Sequence, residues 1–298
     1  MATLNEWAAG ARPRTLPMAV SPVVIGAAAA LSMLTGDTVV GWRPWVIASL
    51  ALVVALALQV GVNYANDYSD GVRGTDDVRV GPMRLTATGT APASQVKKAA
   101  FLSFGVAALA GLGIVVLSGM WWMLALGAVS VLAAWWYTGG KNPYGYLGLG
   151  EVMVFIFFGL VATLGTTYAM AAQVSAAAVV GAVSHGLIAA GLLMANNIRD
   201  IPTDTDVGKK TLAVRLGQTP ARWTYAVMLA VAVLLPLGLV PSSAWYLLTA
   251  VSWVFCLGPI RITLLRRRTG PDLIPVLQQT SIVGLAFAVA FSAAVLLA

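Results

Sequence analysis

Nine long, nearly uncharged apolar runs decide what this chain can become. They lie at about residues 16–34, 44–66, 97–117, 120–138, 150–171, 174–198, 219–240, 243–265 and 274–297. A helix needs roughly 20 apolar residues to cross a hydrocarbon core about 30 Å thick, and there the backbone must satisfy its own N–H and C=O groups, which a helix does within one segment. The chain therefore reads as all-α: one membrane-embedded unit over residues 1–298 with nine transmembrane helices. Composition agrees, since 10% charged residues is far below the roughly 25% of a soluble domain.

The basic residues give the runs a direction. Arg12 and Arg14 precede the first run; Arg73, Arg79, Arg84, Lys97 and Lys98 follow the second; Lys141 follows the fourth. Arg199, Lys209, Lys210, Arg215 and Arg222 follow the sixth, and Arg261, Arg266, Arg267 and Arg268 surround the end of the eighth. Cytoplasmic loops are enriched in Lys and Arg, so nine spans starting inside place every basic residue but Arg43 in the cytoplasm. The N-terminus is then cytoplasmic and the C-terminus outside. Trp42, Trp45, Trp121, Trp122 and Trp245 fall near the outer interface and Trp135, Trp136 and Trp223 near the inner one, as an aromatic belt requires. The net charge of +7 thus belongs to one face and suits a membrane surface or an anionic substrate; no soluble domain is present to hold nucleic acid. Cys256 stands by itself inside a run, reads as a small buried hydrophobe, and can form no disulfide within the chain.

Against this background the acids are conspicuous. The chain has eleven carboxylates, and Asp67, Asp70, Asp76 and Asp77 fall together in NDYSDGVRGTDD, residues 66–77. A second cluster follows the sixth run in NNIRDIPTDTDVGKK, with Asp200, Asp204 and Asp206. Asn63, Asp67 and Asp70 are spaced i, i+4, i+7, and Asn196, Asp200 and Asp204 are spaced i, i+4, i+8, so each set lines one helix face. Pro202 disfavours regular helix at Ile201 and places Asp204 less firmly. Carboxylates with no neighbouring His or Cys form hard-ligand sites suited to Mg²⁺. Arg73, Arg79, Arg84, Arg199, Lys209 and Lys210 are interleaved with them and would oppose a bare cation. Acids that hold Mg²⁺ beside bases that hold oxyanions describe a diphosphate site. A solvated charge run is the ordinary alternative, and one cluster would not exceed it; two clusters of matching design do.

Between the clusters stands YTGGKNPYGYLGLGEV, residues 137–152. Tyr137 and Lys141 are spaced i, i+4, but Gly139 and Gly140 argue for a turn, and the flanking residues of a P-loop are absent. Glu151 and His185, the single histidine, read as polar contacts within the bundle. A divalent-cation transporter would also cluster acids, but on broken helices near the midplane, whereas these lie at helix ends among bases.

NDYSDGVRGTDD and NNIRDIPTD, with YTGGK between them, resemble the UbiA superfamily of intramembrane prenyltransferases over essentially the whole chain. RPRTLP (12–17), GVRGTDDVRVGPMRL (71–85), GLGEVMVFIFFG (148–159) and GKKTLAVRLG (208–217) resemble its branch acting on 1,4-dihydroxy-2-naphthoate in menaquinone synthesis. The resemblance implies nine helices with both Asp-rich motifs on the cytoplasmic side of a bacterial cytoplasmic membrane. It implies metal ligands at Asp67, Asp70, Asp76, Asp200 and Asp204, with Asp77 an alternative to Asp76, and catalytic roles for Asp67, Asp70, Asp200, Asp204, Tyr137 and Lys141. Substrate contacts would come from Arg14, Asn63, Arg73, Arg84, Asn196, Arg199 and Lys209. The implied reaction is Mg²⁺-assisted transfer of a polyprenyl group from its diphosphate to dihydroxynaphthoate, with loss of CO₂ and diphosphate. Sibling enzymes with other aromatic or lipid acceptors are the nearest alternative.

Overall fold

The computed structural model describes residues 2–34, 41–74 and 84–298; Asp76, Asp77 and Arg79 lie outside the described residues. The described chain is helical throughout. Its helices are α1 (Leu4–Gly10), α2 (Pro17–Leu31), α3 (Trp42–Arg73), α4 (Ala93–Ser118), α5 (Met123–Trp136), α6 (Gly150–Ala171), α7 (Ala176–Asp206), α8 (Leu212–Leu216), α9 (Gln218–Leu239), α10 (Ala244–Leu265) and α11 (Gly270–Leu297). Helix underlies every apolar run, but length separates them. Among the described residues 7 helices are long and apolar enough to cross a membrane, or up to 8 when α1 and α2, bent by 51°, count as one span. The bend has a local cause: Arg12 adopts a left-handed φ of 55° and Pro13 starts a short turn ahead of Pro17. Helix α5 has 14 residues, about 21 Å at 1.5 Å per residue, which is short of the hydrocarbon core. The connection into it is made by Gly119, which ends α4 at a φ of 74°, a conformation glycine adopts without cost.

The two longest helices carry the acids. Helix α3 has 32 residues and α7 has 31, about 47 Å each, so each has turns to spare beyond an apolar span of about 20 residues. Those surplus turns are the polar sequences Asn63–Arg73 and Asn196–Asp206. Helix α7 continues through Pro202 to Asp206, so Asp204 stays on the same helix as Asp200, at the cost of one intrahelical hydrogen bond, the one Pro202 cannot donate to the Ile198 carbonyl.

Helix α7 is also the centre of the bundle, with 61% of its apolar window buried against 28% for α4. Its Ile188, Met194 and Ile198 join Met18 and Ile25 of α2, Tyr225 and Leu229 of α9, and Phe287 and Phe291 of α11 in the main core. Helix α6 crosses α7 at two glycines, where a Cβ on Gly159 would sit 2.5 Å from the Gly186 Cα. Near that crossing, Phe155–Val161 winds as a π-helix, a departure from α geometry common near functional sites. His185 is fully buried, with Nε2 3.2 Å from the Met18 carbonyl, and Cys256 is buried and free. A second cluster, formed by Tyr64, Val96, Phe104 and Leu85, fastens the segment after residue 83 to α3 and α4.

Candidate active site

The ends of α3 and α7 meet over a cavity of about 1250 Å³. Its mouth is polar and its depth apolar. Ala51, Val54 and Ala55 of α3, Ala107 and Gly111 of α4, Leu126 and Val131 of α5, and Phe157 and Val161 of α6 line the deep part. Asn63, Asn66, Asp70, Arg84, Tyr137, Asn196, Arg199, Asp200, Asp204 and Lys209 line the mouth, with Arg14 on the N-terminal turn.

Asp70 is the acid through which the first cluster enters the site. Arg84 Nη2 and Lys209 Nζ each lie 3.6 Å from its Oδ2, and Tyr146 Oη donates to its Oδ1 at 2.6 Å. Lys209 also stacks 4.6 Å above the Tyr146 ring. The backbone N–H of Lys209 donates to the Asp204 carbonyl at 2.8 Å, so one lysine ties the end of α7 to the acid of α3. In the second cluster Arg199 donates through Nε and Nη2 to both Asp200 oxygens at 2.7 Å. Its Nη2 also donates to Asn196 Oδ1 at 2.9 Å, and Asn196 Nδ2 donates to Asp200 Oδ2 at 3.4 Å. These charged groups are buried together, in surroundings where ionic hydrogen bonds strengthen and are worth more than at a surface.

Asp67 takes a different place from the one its spacing suggests. It is 1% exposed and does not line the cavity. Its Oδ2 accepts from the Leu85 N–H at 2.7 Å and its Oδ1 from the Thr86 N–H at 2.9 Å. Both oxygens thus hold the backbone immediately after Arg84. Asn63 reaches the cavity but also fastens the N-terminal turn, donating to the Ala11 carbonyl at 2.9 Å and to Thr15 Oγ1 at 3.3 Å.

Sequence reasoning passed over Asn66, although Asn66 and Asp70 are spaced i, i+4 as Asn196 and Asp200 are. Asn66 lines the cavity and accepts from Thr138 Oγ1 at 2.7 Å. The segment after α5 supplies Thr138, Tyr144 and Tyr146 as well as Tyr137. Tyr144 Oη donates to the Ala133 carbonyl at 2.7 Å, and burial pushes its phenol above the ordinary range, so it acts as a neutral donor. The turn expected at Gly139 and Gly140 is present: the Gly139 N–H meets the Trp135 carbonyl at 2.9 Å and Gly140 has a φ of 77°. It carries Lys141 to an exposed position away from the cavity lining. Arg73 is likewise outside the lining; its guanidinium clasps the Thr138 and Gly140 carbonyls and lies 5.4 Å from the Tyr146 ring centroid.

The donor set suits Mg²⁺ in kind. Asp70, Asp200, Asp204, Asn66 and Asn196 offer oxygen donors, and among the described lining residues there is no His or Cys. Among the described residues no three acids, histidines or cysteines cluster closely enough to hold an ion by themselves. That agrees with Mg²⁺ taking one or two carboxylates and completing its shell with phosphate oxygens and water.

Known proteins share this plan. The sequence profile of the UbiA prenyltransferase family matches residues 19–276. The 1,4-dihydroxy-2-naphthoate octaprenyltransferase of Mycobacterium tuberculosis is 47% identical over 297 residues, covering 99% of this chain and 98% of that protein. The enzyme of the same name from Escherichia coli is 37% identical over 231 residues, covering 76% and 73%. In fold, a UbiA homolog from Archaeoglobus fulgidus bound to GPP and Mg²⁺ superposes with a TM-score of 0.68 at 14% identity, covering 98% of this chain and 100% of that one. The apo structure of a UbiA homolog from Aeropyrum pernix K1 gives 0.69 at 16% identity over 94% and 97%. With matches of this extent in both sequence and fold, the chain belongs to the UbiA prenyltransferase family.

Proposed function

We propose that the protein transfers a polyprenyl group from polyprenyl diphosphate to 1,4-dihydroxy-2-naphthoate, releasing diphosphate and CO₂ and giving the demethylated quinol of menaquinone synthesis. The observation that carries the reading is Lys209, whose ammonium faces Asp70 while its backbone holds Asp204. It makes two acid clusters, far apart in sequence, into the walls of one site. The relatives that match over the whole chain name the same reaction.

In this reading Arg84, Lys209 and Arg199 bind the diphosphate oxygens, and Asp70 with Asn66 on α3, and Asp200 and Asp204 with Asn196 on α7, would each offer Mg²⁺ one or two carboxylates, phosphate oxygens and water supplying its other ligands. When bound, Mg²⁺ supplies charge that offsets the negative charge growing on the departing diphosphate. Arg84, Lys209 and Arg199 act in the same direction, and because that charge develops in the transition state they raise the rate as well as binding. The allylic C–O bond breaks with its electron pair leaving on oxygen. An electron-rich ring carbon then forms the new C–C bond, and loss of CO₂ returns its bonding electrons to the ring. Phe157, Phe158, Leu58 and Val62 exclude water from the allylic centre, where it would capture the cation. Asp67 holds the Leu85–Thr86 backbone and thereby keeps Arg84 in the mouth. The sidedness of the basic residues supports nine crossings, counting the α1–α2 pair and α5 with the residues that flank it, with the mouth in the cytoplasm and the C-terminus outside a bacterial cytoplasmic membrane.

The test is mass spectrometry of the products formed by purified protein in lipid nanodiscs given dihydroxynaphthoate, a polyprenyl diphosphate and Mg²⁺. The expected product has the mass of the two substrates joined, less CO₂ and diphosphate. Prenylation of 4-hydroxybenzoate in preference to dihydroxynaphthoate would contradict the acceptor assignment.

A further inference from the structure

One buried acid has no part in the scheme above. Glu151, at the start of α6, is 2% exposed and does not line the cavity. Its Oε1 accepts from Asn197 Nδ2 at 2.9 Å, and among the described residues no donor reaches its Oε2. A carboxyl buried with half of its acceptor capacity unused is costly to keep. Asn197 does line the cavity, one residue from Asn196, as do Tyr137, Met153 and Leu193. Asn197 donates to the acid through Nδ2, which sets which end of the amide turns toward it. Asn197 Nδ2 is spent on Glu151, and Oδ1 is the polar atom of that side chain left for an occupant of the cavity.

We infer that Glu151 is a positioning residue that aims the Asn197 carbonyl at a ring hydroxyl of the aromatic acceptor; the inference rests on the function proposed above. The two substrates differ in the chemistry such a group can recognise. An acceptor-only carbonyl disfavours the diphosphate, which at neutral pH offers no hydrogen to donate. A hydroxylated ring does offer one. The Asn197–Glu151 pair therefore selects the second substrate, in a site whose cations select the first. Accepting the hydroxyl hydrogen also draws electron density into the ring, which favours its attack on the allylic carbon.

Steady-state kinetics in nanodiscs, varying each substrate in turn, tests this with Glu151→Gln, Glu151→Asp and Asn197→Ala. Glutamine can donate to Asn197 Oδ1 and so reverse the amide. Glu151→Gln is expected to raise the KM for dihydroxynaphthoate about tenfold or more while the KM for polyprenyl diphosphate stays within about twofold. Glu151→Asp keeps the charge and should recover part of the loss. Naphthoates lacking either ring hydroxyl, used as competitive inhibitors, add a readout that general damage would not move. For at least one of them the wild type should bind the dihydroxy compound more tightly by about tenfold, and in Glu151→Gln and Asn197→Ala that preference should disappear. Equal rises in both KM values, or a hydroxyl preference that survives in the variants, would overturn the inference. If Glu151→Gln does not fold, Asn197→Ala decides by the same preference. An active wild type with unchanged variants sinks this inference alone, whereas a wild type that does not prenylate dihydroxynaphthoate sinks the acceptor assignment and the inference with it.

Discussion

The ends of α3 and α7 use the same pair of residues, Asn followed four positions later by Asp, and hold it in different ways. On α7, Asn196, Arg199 and Asp200 bond one another within one helical turn. On α3, Asp70 is met by Arg84, Tyr146 and Lys209 from three other segments, so the first cluster depends on loops arriving correctly. Asp67 secures one of those arrivals by binding the Leu85 and Thr86 N–H groups. The end of α3 thus spends one acid, Asp67, on fastening a loop and leaves another, Asp70, on the cavity.

That contrast gives its largest expected effect at Asp70. Asp70→Asn keeps volume and loses charge, so turnover of the folded protein should fall by about two to four orders of magnitude, and the unfolding midpoint should fall too because Arg84 and Lys209 lose a shared buried partner. Asp67→Asn should cost stability with a much smaller loss of turnover. Weakening two buried charge-assisted hydrogen bonds costs about 1–3 kcal/mol of stability, seen as a lower unfolding midpoint, and turnover of the folded fraction should drop about tenfold through displacement of Arg84. Equal losses of activity at the two positions would break the division between anchor and ligand. The smallest effect is expected at Lys141→Met, because the glycine turn directs Lys141 away from the lining; kcat/KM should stay within about threefold, and a loss of a hundredfold or more would place Lys141 on the substrate.

The helices were legible because a bilayer leaves the backbone few alternatives. All nine apolar runs coincide with helix, although the fourth was read as residues 120–138 and the helix occupies Met123–Trp136, too short to span by itself. The second cluster was legible because Asn196, Arg199 and Asp200 bond one another within one helical turn. In the first, Asn63–Asp67 and Asn66–Asp70 obey one spacing rule, and nothing local decides between them. The decision comes from Leu85 and Thr86, whose N–H groups capture Asp67, and from Tyr146, which reaches Asp70 from beyond a glycine turn. Tyr146, Thr138 and Asn197 act through contacts between segments distant in sequence, so spacing along one helix could not reveal them. Pro202 misled in the opposite sense, since it suggested an earlier end to α7 than the helix has.

A double-variant cycle on Asp70 and Asp200 tests the central claim, that the unlike clusters serve one diphosphate. Turnover is measured at fixed, low-millimolar Mg²⁺ for the wild type, Asp70→Asn, Asp200→Asn and the two together. If both acids act on one charge-stabilising unit, each single variant loses orders of magnitude and the double variant is little worse than the poorer single, because such effects are grossly non-additive. Losses that multiply would show two independent sites, and near-normal turnover in either single variant would remove that acid from the reaction.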